Sequence, residues 1–184
     1  LNPLIVPIYK FIINKSNSNL IFQNKEDLNY FKKLKISNEF NSFIIRGSGI
    51  NTTKFKNKKI NKFYPKGKYW KLLFPARLIK EKGIYELIKA CDKLWENNKH
   101  FRLYIAAEAN NQQKGDVNYK DIKNILNRPY VEEIKYQEDM KLIYEKTDIV
   151  VLPSWREGLS RSLLEAGSME LPIITSNVPG CRDI

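Results

Sequence analysis

"DIVVLPSWREGLSRSLLEAGSMELPIITSN", residues 148–177, holds three patterns in succession. Ile149 to Leu152 is an unbroken apolar run of buried-strand length, Ser160 to Glu170 places its apolar residues at helical spacing, and Leu171 to Thr175 is strand-like again. Strand, helix and strand in that order predict a parallel pair joined by a crossover. Working back along the chain, the alternation continues. "EDMKLIYEKT" reads as a helix, "YVEEIKY" as a strand, "NYKDIKNILNR" as a helix, "FRLYIAAEA" as a strand and "WKLLFPA" as a strand. Between the last two, "GIYELIKACDKLWENN" is a helix with Ile84, Leu87, Ile88, Cys91 and Leu94 on one face. The predicted fold class is therefore α/β, a Rossmann-like parallel sheet with helices on both faces. Right-handed crossovers place every strand's carboxyl end on one edge, where such sheets bind ligands.

Upstream, "NLIFQN" (19–24) predicts a short strand and "KEDLNYFKKLKI" a helix carrying Leu28, Phe31 and Leu34. A further strand, Phe43 to Ile45, ends in the turn Gly47-Ser48-Gly49. The stretch "KFKNKKINKFYPKGKYWK", Lys54 to Lys71, has no apolar period and contains Pro65 and Gly67, so it reads as a solvated linker. Three regions result: a strand-helix unit over 1–46, a turn and Lys-rich linker over 47–70, and a ligand-binding lobe over 71–184 that reads as incomplete at its end. The opening "LNPLIVPIYKFII" is interrupted by Pro3, Pro7 and Lys10, so neither a signal peptide nor a spanning helix is predicted.

The 184 residues carry a formal charge of +12, nearly all of the excess being Lys, and 42% are hydrophobic, enough for a soluble core. Such a charge points to nucleic acid, an anionic membrane or a polyanionic substrate. The accompanying richness in Asn and Ile offers a plainer source, codon bias. Cys91 and Cys181 form no C-x-x-C pair, which argues against a disulfide framework or zinc site and fits a reducing cytoplasm. His100, the single histidine, reads as a turn residue.

The opening stretch also carries the chemistry. Pro153 and Gly158 allow an irregular turn at the ligand edge, and Ser160 or Ser162 can cap the helix that follows, Ser162-x-x-Glu165 having the spacing of a capping box. A helix start there aims unpaired N–H groups at the crevice and favours a phosphate. Gly158 lets the backbone approach phosphate oxygens. Glu157 and Glu165 lie roughly 7 Å apart along the axis at about 1.5 Å rise per residue. Carboxylates accept hydrogen bonds from hydroxyls, so the pair suits a diphosphate flanked by sugars. Read alone, the same acids are also a cap and a surface turn residue. "FPARLIKEKG" (74–83) adds Arg77 and Lys82 beyond another strand end, where the two cations can stabilise a departing diphosphate without a metal.

"PSWREGLSRSLLEAGSMELPIITSNVPGCRDI" resembles the E-x7-E region of the retaining, nucleotide-sugar-dependent glycosyltransferases of family 4, which have the GT-B fold. "RGSGINTTKF", "PARLIKEKGIYELIKA" and "EDMKLIYEKTDIVVLPSWREG" are similar to further motifs of that family in its order. The likeness runs from about Asn19 onward, nearest to bacterial members that extend lipid-linked oligosaccharides or build surface polysaccharides. It implies catalytic roles for Arg77 and Lys82 at the donor diphosphate and for Glu157 near the donor sugar. It implies that Glu165 holds the ribose hydroxyls, that Gly158, Leu159 and Ser160 line the sugar and phosphate region, and that Gly47 and Gly49 form the glycine turn at the crevice. No metal or cofactor is implied; the donor is a UDP- or GDP-linked sugar and the acceptor a glycan or lipid-linked glycan. The expected place is the cytoplasm, with peripheral contact at the inner face of the membrane, and no nucleic acid is expected.

Two departures from the family pattern, Ala106-Ala107-Glu108 and Lys135 where glycines are usual, put bulk near the expected base. The first lobe of the family is represented by its last strand-helix unit alone, which predicts weak donor binding and little transfer by this chain. The rival readings are a basic module for nucleic acid or membrane, and an inactive relic of a transferase.

Overall fold

A computed structural model describes residues 3–16, 18–57, 68–97, 100–107, 117–134 and 139–184. The chain opens with α1 (Val6–Ser16), β1 (Leu20–Phe22), α2 (Lys25–Lys33) and β2 (Ser42–Ile44). β3 (Trp70–Phe74), a 3-10 turn (Lys80–Lys82), α3 (Ile84–Asn97), β4 (Phe101–Ala106), α4 (Tyr119–Leu126) and β5 (Val131–Ile134) follow. α5 (Lys141–Glu145), β6 (Ile149–Leu152), α6 (Arg161–Ser168) and β7 (Ile173–Thr175) complete it.

β3 to β7 form one all-parallel sheet in the order β5-β4-β3-β6-β7. The chain starts at the central β3, runs outward to β5, then crosses back to β6 on the other side. Neighbouring β3 and β6 therefore mark the point where the winding reverses, which opens a crevice at their carboxyl ends. Right-handed crossovers put α3 and α4 on one face and α5 and α6 on the other. Side chains tie each pair: the Tyr85 hydroxyl of α3 donates to Asp121 of α4 at 2.7 Å, and the Tyr144 hydroxyl of α5 lies 3.1 Å from the Ser162 carbonyl of α6. Leu73, Phe74, Leu103, Ile105, Val150 and Leu152 are buried between the layers, and each fully buried apolar side chain of this size stabilises by about 1.5–3 kcal/mol.

Every element expected from Trp70 onward is present, and the α/β parallel fold class is the one observed. Two details differ. Leu94 is exposed, and Trp95, which lies at the middle of the α3 apolar face, packs instead on Phe101 and Tyr130 with ring centroids 5.6 and 5.4 Å away. The linker reading of 47–70 is corrected at Lys54 and Phe55. Phe55 is buried in the core, edge-on to Tyr144 at 6.1 Å, and its carbonyl accepts from Ser168 Oγ at 2.6 Å. Residues 58–67 of that stretch lie outside the described residues, as do Glu108 and Lys135.

β1 and β2 pair in parallel as a separate two-stranded sheet. This unit docks on the segment after β6. Asn24, itself buried, accepts from Asp27 N–H at 2.7 Å to cap α2 and donates from Nδ2 to the Gly158 carbonyl at 3.0 Å. Arg156 pairs with Asp27, and Arg182 with Glu26 at 3.0 Å.

Candidate functional site

A cavity of about 600 Å³ opens at the carboxyl ends of β3 and β6. Pro75, Ala76 and Arg77 reach it from the end of β3, Ala106 from β4, Leu152 from β6, Glu157 from the segment after it, and Ser160, Arg161, Ser162 and Glu165 from α6 and its N-cap. Lys82 arrives from the 3-10 turn, Tyr144 and Met140 from α5 and its start, and Lys54 and Phe55 from the segment before β3. Of the residues singled out in the sequence, Arg77, Lys82, Glu157, Ser160 and Glu165 thus converge on one space.

The two acids are held differently. Glu157 Oε1 accepts from Lys82 Nζ and from Ser154 Oγ, each at 2.6 Å, and Ser154 is fully buried. Glu165 is 7% exposed; its Oε1 accepts from Arg161 Nε at 3.0 Å and its Oε2 from the Tyr144 hydroxyl at 3.2 Å. Burial, with the Glu165 charge beside it, pushes the Tyr144 hydroxyl's pKa well up, so it remains a donor. Each acid is therefore paired with a cation at the cavity wall.

The start of α6 is open. Ser160 is its N-cap by backbone, yet its side chain makes no capping hydrogen bond, and Ser162 lies inside the helix with its hydroxyl donating to the Pro75 carbonyl at 2.9 Å. This corrects the expected capping box: Glu165 turns to Arg161 and Tyr144 instead of back to the helix start. The N–H groups of the first helical turn, which no intrahelical acceptor can reach, lie at the cavity and make it favourable for an anion.

Gly158 faces Gln23 of the N-terminal unit, where an added Cβ would collide with the amide oxygen, and it lines a second cavity of about 320 Å³ with Gln23, Asp27, Phe31 and Arg156. That amide is the end of a flexible side chain and Gly158 has no positive φ, so Gln23 can yield to a larger residue there. Leu159 packs against Gly47, and neither Leu159, Gly47 nor Gly49 is among the residues lining the larger cavity. Gly83 has φ +75°, and an added Cβ would run into the Pro153 carbonyl, so it keeps the Lys82 turn tight on the segment after β6. Trp155 N–H donating to the Glu81 carbonyl at 2.8 Å reinforces the same contact.

Sequence reasoning did not single out Ser154, Tyr144, Arg161 or Lys54. Tyr144 and Lys54 come from segments distant in sequence, and a tyrosine at helical spacing reads as ordinary core. Among the described residues, no group of three His, Cys, Asp or Glu side chains is placed to hold a metal ion.

This is a doubly wound α/β lobe with its cavity at the winding reversal. The model of the family Glycosyl transferases group 1 matches residues 54–184, and the chain belongs to that family. The capsular polysaccharide biosynthesis glycosyltransferase CapM of Staphylococcus aureus is 29% identical over 145 residues, covering 74% of this chain and 36% of its own. The N,N'-diacetylbacillosaminyl-diphospho-undecaprenol alpha-1,3-N-acetylgalactosaminyltransferase of Campylobacter jejuni is 25% identical over 197 residues, covering 95% of this chain and 48% of its own. Among solved structures, a glycosyltransferase from Rickettsia africae superposes with TM-score 0.74 at 17% identity, over 100% of this chain and 50% of that one. Anabaena HepE, solved with UDP and glucose, superposes with TM-score 0.77 at 14% identity, over 98% of this chain and 50% of that one. The chain thus spans about a third to a half of the length of the relatives it matches.

Proposed function

We propose that this chain is the donor-binding part of a retaining glycosyltransferase that moves a sugar from a UDP- or GDP-linked donor to a hydroxyl of a glycan or lipid-linked acceptor in bacterial polysaccharide or oligosaccharide assembly. The observation that carries the reading is the convergence of Arg77, Lys82, Glu157, Glu165 and the open start of α6 on one cavity. Cations and helix amides suit the diphosphate, and the two acids suit hydroxyls on either side of it.

In this reading Arg77, Lys82 and the α6 amides stabilise the negative charge that develops on the departing diphosphate. The Lys82 ammonium has three N–H donors, so it can hold Glu157 and still face a phosphate oxygen. Glu157, steadied by Ser154, orients the sugar, and Glu165 accepts from the ribose hydroxyls. The HepE structures with UDP and with UDP-glucose support the choice of ligand class, as do the names of the polysaccharide and undecaprenol-linked relatives. Calorimetric titration with UDP, GDP and inorganic pyrophosphate tests it. A nucleoside diphosphate should bind weakly, and R77A should weaken binding about tenfold or more, the range for a hydrogen bond to a charged group. A folded protein that takes up neither nucleotide rejects the reading.

Peripheral contact with an anionic membrane at a cytoplasmic face is the accompanying proposal. It is supported by Leu4, Ile8, Phe11 and Ile12, all exposed on or beside α1 near Lys10 and Lys15. No described helix is long and apolar enough to cross a membrane. Co-sedimentation with phosphatidylglycerol vesicles, lost at high salt and absent with phosphatidylcholine, is the expected result; equal binding to both, or none, contradicts it.

A further inference from the structure

The Tyr144 hydroxyl sits at a junction that the donor-site assignment does not use. Tyr144 is fully buried, reaches the cavity from α5, and its hydroxyl lies 3.2 Å from Glu165 Oε2 and 3.1 Å from the Ser162 carbonyl. Phe55 packs edge-on against its ring, so the ring has one place to be. Glu165 has its other oxygen 3.0 Å from Arg161 Nε, and the Arg161 side chain is 70% exposed, so that pair is open to screening by salt. A carboxylate with one exposed partner and one buried partner takes its orientation from the buried one, because only that contact is shielded from screening.

From this geometry we infer that Tyr144 is the positioning residue for hydroxyl recognition: it locks the Glu165 carboxylate so that its remaining lone pairs face the cavity and receive the ribose hydroxyls of a nucleoside diphosphate. The inference rests on the assignment of Glu165 to ribose in the proposed function. Tyr144 itself touches no part of the ligand in this scheme. It sets discrimination between ribose and deoxyribose, and leaves the diphosphate contacts to Arg77, Lys82 and the start of α6.

The test compares UDP, 2'-deoxy-UDP and inorganic pyrophosphate, titrated into the wild-type chain and into Y144F. Wild type should prefer UDP over 2'-deoxy-UDP. Y144F should weaken UDP about five- to tenfold, the worth of one well-placed hydrogen bond, leave pyrophosphate within twofold, and erase most of the preference for the ribose. In an E165Q background, Y144F should cause no further loss, because the two act as one unit. Equal weakening of all three ligands would mean a general packing role and overturn the inference, as would an unchanged UDP preference or full additivity with E165Q. Should Y144F not fold, E165D provides the second route. It withdraws the carboxylate from the hydroxyl while keeping its charge, and must likewise reduce the ribose preference while sparing pyrophosphate, or the inference fails. Wild type binding UDP and 2'-deoxy-UDP equally well defeats this inference alone; a folded wild type taking up no nucleotide defeats the functional reading beneath it.

Discussion

Gly158 and Gly83 differ in what an added methyl group would meet. From the sequence Gly158 reads as a phosphate-approach glycine; in the fold a Cβ added there would meet the amide end of the Gln23 side chain, which can turn aside, whereas one added at Gly83, φ +75°, would meet the Pro153 backbone carbonyl. G83A should therefore cost about 1–3 kcal/mol of stability and G158A well under about 1 kcal/mol. Urea unfolding of the two variants measures this; G158A as the costlier change would contradict it. The cysteines give a second residue-scale prediction. Burial pushes the Cys91 thiol up to about 12, with the neighbouring Asp92 charge adding to it, and burial likewise raises Cys181. A raised pKa keeps both protonated near pH 8, so a thiol reagent should label neither in the native chain and both in denaturant. Of the charged residues lining the cavity, Arg77, Lys82, Glu157 and Glu165 were legible because each lies beyond a strand end or near a helix start, whereas Lys54 and Arg161 were not singled out. Ser154 and Tyr144 were not, because a hydroxyl's partner is set by tertiary packing.

At the scale of elements, α6 and α2 make a contrast. Ser160 caps α6 by backbone alone, so S160A should cost well under the ~1 kcal/mol usual for losing a serine cap. Asn24 caps α2 and also holds the Gly158 carbonyl, so N24A should cost about 2 kcal/mol or more, from a lost cap and a stranded carbonyl. Thermal or urea unfolding that ranks S160A as the worse variant would refute the cap assignments. The α3–α4 contact adds a pH dependence. Hydrogen bonds from Arg128 hold the Asp92 carboxyl below its usual range. A depressed folded pKa gives stability that is present above the unfolded carboxylate value of ~3.9 and is lost as pH falls through the folded one. Acid unfolding of D92N should accordingly be less steep below about pH 4. The alternation from Trp70 onward was readable because strand and helix periods differ so plainly. α1 was not read because Pro7 and Lys10 look like breaks. Pro7 is in fact the second residue of the helix, where its missing N–H would have had no partner anyway.

Across the whole molecule, the sheet's winding order places the site, and the N-terminal unit docks beside it, lining a second cavity. The sequence shows the order of elements, and handedness rules then bring the ends of β3 and β6 together. What no periodicity could reveal is that β1–α2 would dock through Asn24 on the very segment that carries Glu157 and Gly158. Two ion pairs accompany that dock, Arg156 with Asp27 and Arg182 with Glu26. Solvent-exposed pairs of this kind contribute little. The central claim is that a nucleoside diphosphate seats at the winding reversal. Backbone amide shifts in nitrogen-15 spectra on adding UDP address it most directly. The account predicts that Ala76, Arg77 and Arg161 to Leu163 move together and saturate at one ligand concentration. Shifts confined to α1 and the two-stranded sheet, or none at all in a folded protein, would contradict it.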